Sequence, residues 1–142
     1  MDLVFVCPRT DPLYAAELDL RYRVLRAPLG LGRQDVTFEG EERARHLVAR
    51  VVDLVVGCAV FDPATGRLRA MAVDSSVQRR GIGSRLVGRL EEEVRRRGIR
   101  LLKLHARVEV ARFYARLGYE VEGEPFLEVG IPHQAMTKAL TA

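Results

Sequence analysis

Residues Leu68–Gly98, LRAMAVDSSVQRRGIGSRLVGRLEEEVRRRG, decide how this chain folds. They read as a buried strand, a short arginine- and glycine-rich turn, and a long amphipathic helix. After the turn, Ile82, Leu86, Leu90 and Val94, with Val87 beside them, place one apolar stripe on a helix of about four turns. Gly98 ends that helix, and Gly88 within it marks an expected close approach to a sheet. The turn Gln78-Arg79-Arg80-Gly81-Ile82-Gly83 sits at the helix start, where backbone N–H groups lack partners and the dipole favours negative charge. Glycines there let a ligand approach the backbone, and two arginines add cationic forks suited to phosphate. The turn reads as a seat for a pyrophosphate; the blander alternative is a tight strand-to-helix connection with no ligand.

At 142 residues the sequence suits a single domain, 1–142, large enough for a real core. No apolar run approaches the roughly 20 residues needed to span a bilayer. The start, Met1-Asp2-Leu3-Val4-Phe5-Val6, lacks a basic segment followed by a long apolar one, so the cytoplasm is the expected compartment and no membrane partner is expected. Cys7 and Cys58, both in apolar strand-like runs, read as small buried hydrophobes. Two isolated thiols and three scattered histidines match no metal-ligand spacing, so no metal is expected.

The net charge of +4 suggests nucleic acid as a first partner, but the positive charge is dispersed. Glu91, Glu92 and Glu93 precede Arg95, Arg96 and Arg97 by four residues, the favourable order for helical ion pairs, and that run reads as a solvated face. The unmatched Arg79, Arg80 and Arg85 gather at the glycine turn instead.

Working outward from the central stretch, Leu3 to Cys7 is a short strand ended by Pro8. Asp11-Pro12 resembles an N-cap followed by proline, opening a helix from Leu13 to about Leu25. Ala27 to Gly32 is a proline- and glycine-punctuated loop, and the polar Arg33 to Arg45, with Glu39, Glu41 and Glu42, reads as loop with one helical turn. His46 to Val52 and Leu54 to Phe61 are valine-rich, as strands buried on both faces are. Asp62-Pro63-Ala64-Thr65-Gly66 turns the chain into a third antiparallel strand, Arg67 to Val73.

Beyond the long helix, Arg100 to Ala106 is a strand, so strand, helix and strand imply a right-handed parallel crossover. A short helix carries Val110, Phe113, Tyr114 and Leu117 on one face, with Gly118 past its end. Tyr119 to Glu122 is a strand, Gly123-Glu124-Pro125 a break, and Pro132 to Ala139 the last strand. The fold class is α/β: an antiparallel meander, a βαβ unit and a C-terminal strand pair.

The order strand, Gln78–Gly83, helix, strand, then Ala111-Arg112-Phe113-Tyr114-Ala115-Arg116-Leu117-Gly118-Tyr119, resembles the GCN5-related N-acetyltransferase (GNAT) superfamily. The first motif is similar to that family's acyl-CoA signature, Q/R-x-x-G-x-G/A, and the second to its Phe-Tyr-x-x-x-Gly-Phe/Tyr segment. Arg45-His46-Leu47 and Glu128-Val129-Gly130-Ile131-Pro132-His133 are similar to a small bacterial subgroup, the ElaA-like proteins. The resemblance covers essentially the whole chain. It implies a mixed sheet, splayed between Leu68–Val73 and Leu101–His105 and flanked by helices. It also implies acetyl-CoA as acyl donor, its pantetheine along Met71, Ala72 and Val73, its pyrophosphate on Arg79, Arg80, Gly81, Ile82, Gly83 and Ser84, and Phe113 beside it.

Acetyl transfer from a thioester to an amine needs a neutral amine, a stabilised carbonyl oxygen and a protonated leaving thiolate. A main-chain N–H of Met71 or Val73 can serve the oxygen. Tyr114, a phenol of ordinary pKa near 10, matches the acid that the family assigns to the thiolate; the pattern alone also fits a core residue. The base stays open among Glu39, Glu41, Glu42, His46, His105, Glu128, His133 and water, with His46 and His133 gaining weight from the subgroup motifs. Glu41 and Glu42 are an alternative attraction for a cationic amine. The acceptor, a small amine or a peptide, is expected to meet the Arg21–Gly32 segment, the acidic stretch and the last hairpin. A homodimer is left open, since the family often pairs through its C-terminal strands. The competing readings are an acyl-CoA-binding module without turnover and a basic nucleic-acid-binding protein. The lack of basic runs interleaved with aromatics counts against the second, and no nucleic-acid partner is expected.

Overall fold

A computed structural model describes residues 1–141. Seven strands form one sheet in the order β1-β2-β3-β4-β5-β7-β6. The strands are β1 (Asp2–Val6), β2 (Arg45–Val51), β3 (Leu54–Asp62), β4 (Arg67–Val73), β5 (Leu101–Arg107), β6 (Glu120–Glu128) and β7 (Ile131–Ala139). Every neighbouring pair is antiparallel except β4–β5, which is parallel. The helices are α1 (Leu13–Arg21), α2 (Ile82–Arg96) and α3 (Ala111–Arg116). None is long and apolar enough to cross a membrane.

Alternation along the strands divides the core between the two faces of the sheet. On one face Leu47, Ala59, Phe61, Leu102, Leu104 and Met136 pack under the α2 stripe of Leu86, Leu90 and Val94. On the other, Val48, Val55, Cys58 and Ala72 meet Leu20 of α1. Covering on both sides explains the unbroken burial of β3 after Leu54, as its valine-rich sequence predicts. Leu86 and Leu90 are fully buried, each a stabilisation of about 1.5–3 kcal/mol by transfer alone.

The tight approach of α2 to the sheet falls at different glycines from the one expected. A Cβ on Gly88 would meet nothing within 4 Å, whereas one on Gly57 would lie 2.9 Å from Leu86 Cδ1. Both α2 and α3 close in Schellman motifs. The N–H groups of Gly98 and Ile99 bond the carbonyls of Arg95 and Val94, and those of Gly118 and Tyr119 bond the carbonyls of Ala115 and Tyr114.

Other local expectations need correction. Cys7 lies just past β1 and is exposed, unlike the buried Cys58. Of the three glutamate–arginine pairs on α2, the i,i+4 ion pair that forms is Glu93–Arg97 at 3.2 Å. Glu91 is only 7% exposed and turns inward, accepting from the Tyr119 hydroxyl at 2.8 Å and from Lys138 Nζ at 3.0 Å. The helix expected to reach Leu25 is α-helical to Arg21 and then widens into a π turn over Tyr22–Arg26. Its N-cap residue is Pro12 rather than Asp11, whose Oδ1 nonetheless accepts from the Leu13 N–H at 2.9 Å. Gly123-Glu124-Pro125 is a bulge inside β6 rather than its end. Pairing resumes at Phe126, and the Gln134 side chain donates to the carbonyls of Glu122 and Gly123 across the gap.

Candidate functional site

The parallel pair β4–β5 holds register only at Arg67–Lys103 and Leu68–Leu104; beyond those residues the strands part. The gap opens a cleft of about 880 Å³. Its first end is made largely of main chain. Ala59 of β3 faces both Ala70 and Met71, a bulge in which Ala70 takes a left-handed φ of 53°. After the bulge, the N–H of Asp74 donates to Val56 O at 2.8 Å, so position 74 faces β3. Alternation then turns the backbone groups of Val73 and Met71 away from β3, toward the open edge. The Val73 carbonyl there accepts from Gln78 Nε2 at 3.1 Å.

The chain next enters the glycine turn. Arg79 and Gly81 take left-handed φ values of 69° and 77°, and Gly81 is the N-cap of α2. Its carbonyl accepts the first intrahelical bond, from Arg85 N–H, which leaves the amides of the preceding turn without helical partners. Gly83 is buried against Phe113: a Cβ there would lie 3.1 Å from Phe113 Cζ and 3.3 Å from Met71 Cε. Met71, Ala72, Val73, Arg79, Gly81, Ile82, Gly83, Ser84 and Phe113 all line the cleft. Arg80 is exposed and is not part of the lining.

Tyr114 lines the cleft as well. It is 5% exposed, edge-on to Phe113 and Tyr119, and its hydroxyl has no hydrogen-bond partner among the described residues. Burial pushes its pKa up, so the phenol is protonated and available as a donor.

The second end is built from side chains on the face of the sheet opposite α2. Leu104 and Ala106 point into the α2 core, so His105 and Arg107 point the other way. His105 Nδ1 lies 2.8 Å from Glu128 Oε1, and His133 Nε2 lies 3.6 Å from Glu128 Oε2. His133 Nδ1 is 2.9 Å from Ile131 O. Partial burial opposes ionisation of Glu128, but the bond to His105 outweighs it and holds the carboxyl below its usual range. A carboxylate at Nδ1 fixes a proton on that nitrogen, so Nε2 is the ring position left to exchange one. Nε2 of His105 has no protein partner among the described residues, and the ring lines the cleft.

The histidines that the sequence singled out therefore part company. His133 stands at the cleft. His46 is fully buried outside it, with Nδ1 2.8 Å from Glu17 Oε2 and Nε2 2.8 Å from Glu41 O. The acidic stretch also differs from expectation. Glu41 is buried and ion-paired to Arg21, so it is not free to attract an amine, and the cleft wall there is Val36, Thr37 and Phe38. Glu17, Glu41 and His46 converge as metal ligands might, but both carboxylates are ion-paired to the Arg21 guanidinium and both His46 nitrogens are already engaged. What sequence reading missed is the His105–Glu128 pair as a unit. Its one signal was Glu128 opening the Glu128–His133 motif, with His105 brought to it only by strand order.

The fold has counterparts among known proteins. The family model described as an acetyltransferase (GNAT) domain matches residues 33–140. The chain is 35% identical over 77 residues to YyaT of Bacillus subtilis (strain 168), a match covering 54% of this chain and 52% of YyaT. The chain thus spans about half the length of that curated relative. Escherichia coli ElaA superposes with a TM-score of 0.84 at 19% identity, over 97% of this chain and 99% of that one. An aminoglycoside 6'-N-acetyltransferase complexed with coenzyme A superposes with a TM-score of 0.81 at 22% identity, over 100% of this chain and 98% of that one. These likenesses establish the fold, and the match over residues 33–140 places the chain in the GNAT acetyltransferase family.

Proposed function

We propose that the protein transfers an acetyl group from acetyl-CoA directly to a primary amine of a small molecule or peptide, acting in the cytoplasm. The observation that carries this reading is the open β4 edge running into the glycine turn, a continuous main-chain track for pantetheine and pyrophosphate. The coenzyme A bound to the aminoglycoside acetyltransferase of the same fold supports it. An exposed free thiol at Cys7 suits a reducing compartment.

In this reading acetyl-CoA supplies the thioester, and the protein's groups serve each change in charge. The neutral amine's lone pair attacks the thioester carbonyl, and a main-chain N–H of Met71 or Val73 bonds the oxygen as it becomes negative. His105 Nε2, its tautomer set by Glu128, takes the proton that the amine loses. The carbon–sulfur bond then breaks, and Tyr114 O–H gives its proton to the departing thiolate. His133, beside Glu128, orients that carboxylate.

Calorimetry with acetyl-CoA, followed by a thiol-release assay over a panel of amines, tests the proposal. Micromolar, saturable binding and thiol release that requires an amine are expected. Absence of binding overturns the cofactor assignment, while binding without any acceptor-dependent release leaves an acyl-CoA-binding module. Gly81→Val strains a left-handed position by about 1–2 kcal/mol and places a side chain over the phosphate seat. It should weaken acetyl-CoA binding by at least about tenfold in a protein that still folds.

A further inference from the structure

The charges at the acceptor end do not suit a polycationic amine. Arg21 is neutralised by Glu17 and Glu41, and Arg69 lies 3.4 Å from Asp62 with its guanidinium over the Phe38 ring. Arg67 is 3.8 Å from Glu128, which bonds His105 more closely. Arg26 and Arg107 are left. Both line the cleft and are half-buried, and neither has a carboxylate within 4.0 Å among the described residues. They converge on one carbonyl: Arg107 Nη2 donates to Leu25 O at 3.1 Å and Arg26 Nη1 to the same oxygen at 3.4 Å. Arg26 Nε also donates to Asp35 O at 3.0 Å, but the Asp35 carboxylate itself is turned to the Gly32 N–H.

Two guanidiniums crowded together without a counter-ion repel one another. Burial, then the Arg107 and Arg21 charges, push the pKa of Arg26 down by more than the more distant Glu128 and Asp35 carboxylates hold it up, so the site gains from an added anion. A guanidinium carries five N–H donors in a planar fork, and Arg107 uses only one of its own among the described residues. Carboxylate and phosphate both match that fork. The placement is equally suggestive. Arg107 and His105 are two residues apart on one face of β5, about 7 Å along the strand. An anion on the arginines and an amine at His105 and Glu128 are therefore separated by the length of a small molecule.

We infer, building on the acetyl-transfer reading above, that the acceptor is an amine that also carries an anion, a carboxylate or a phosphate a few bonds away. Arg26 and Arg107 seat the anion, and His105 with Glu128 receives the amino group. This separates the protein from a fold relative named for aminoglycosides, which are polycations.

The test uses the full chain saturated with acetyl-CoA and matched acceptors that differ in the anion. These are glycine against glycinamide, O-phosphoethanolamine against ethanolamine, and spermidine as a polycation. Thiol release is expected with at least one anionic acceptor and in preference to its neutral partner; the glycine and phosphoethanolamine arms tell carboxylate from phosphate. Arg107→Gln, and separately Arg26→Gln, should raise KM for that acceptor by about ten- to hundredfold, with unchanged calorimetric affinity for acetyl-CoA. The inference is overturned if spermidine or a neutral amine is the better acceptor, or if both variants keep the KM of the anionic one. It is also overturned if the CoA-saturated protein neither acetylates nor binds glycine or O-phosphoethanolamine in calorimetry. Failure to bind acetyl-CoA at all would instead reject the acetyl-transfer reading.

Discussion

The two ends of the cleft are made of different material. The end proposed for acetyl-CoA comes mostly from one stretch, Met71 to Ser84, and its working groups are backbone amides of an open strand edge and a helix start. The end proposed for the acceptor is assembled from side chains of Arg26, Phe38, Arg67, His105, Arg107, Glu128 and His133, drawn from separate stretches of the chain. A main-chain site imposes conformational demands on a few neighbouring residues, so it leaves glycines at set spacing. A side-chain site imposes no local pattern, because strand order and register alone bring its parts together. The first kind of site is the one that relatives can keep while their acceptors differ.

The difference can be broken experimentally at the buried network behind the acceptor wall. Arg21 is 1% exposed and donates to Glu17 at 3.0 Å, to both oxygens of Glu41 and to Val36 O at 2.8 Å. It thereby ties α1 to the segment carrying Val36, Thr37 and Phe38. Arg21→Met leaves the buried Glu41 without its cation and Glu17 with His46 alone, and a loss of about 3–5 kcal/mol in unfolding free energy is expected. Urea denaturation measures it. Folded protein at low urea should still bind acetyl-CoA, because the opposite end makes no use of Arg21. A matching collapse of cofactor affinity would show that the two ends form one mechanical unit.

Tyr114 lines the cleft with a hydroxyl that bonds none of the described residues, so in the proposed reaction its removal should affect the chemical step and neither binding step. Tyr114→Phe keeps the ring packed against Phe113 and Tyr119 and deletes only the hydroxyl. The expected result is a fall in kcat of about a hundredfold with acetyl-CoA affinity unaltered. Steady-state kinetics paired with calorimetry separates the two. A full-speed Tyr114→Phe enzyme would make the phenol a core residue, the alternative that its apolar helix face also fitted.

What could be read ahead of the structure follows the same division. Six of the strands, the α2 stripe and the glycine turn are products of local pattern and stand within a residue or two of expectation; β6 runs on to Glu128, and the splay was implied by the family resemblance instead. Glu91 was misread because its partners, Tyr119 and Lys138, lie far along the chain and outbid the nearby Arg95. The Gly123–Pro125 break looked terminal because nothing local announces that Gln134 will bridge it. His46 and His105 are alike in sequence, each a histidine in an apolar strand. Only the elements that cover the sheet put one in a sealed polar cluster and the other at the cleft.

That sealed cluster yields the smallest effect and the sharpest contrast with the acetyl-CoA end. Both partners of His46, Glu17 Oε2 and Glu41 O, are acceptors, so both ring nitrogens must donate and the imidazole is charged. Burial opposes that charge, but the Glu17 carboxylate outweighs it and holds the His46 pKa above 6.5. Burial likewise opposes ionisation of Glu41, and Arg21 outweighs it, holding that carboxyl below 4.5. The signs are opposite. The His46 contribution is complete below pH 6.5 and is lost as pH rises through its folded pKa; that of Glu41 is complete above pH 4.5 and is lost as pH falls through its own. The network therefore stabilises the fold most between about pH 4.5 and 6.5. Urea midpoints should decline from pH 5.5 toward pH 8.5, and His46→Gln, which cannot carry the charge, should flatten that decline. An equal slope in wild type and variant would mean that His46 is neutral and that one of its two bonds is not made.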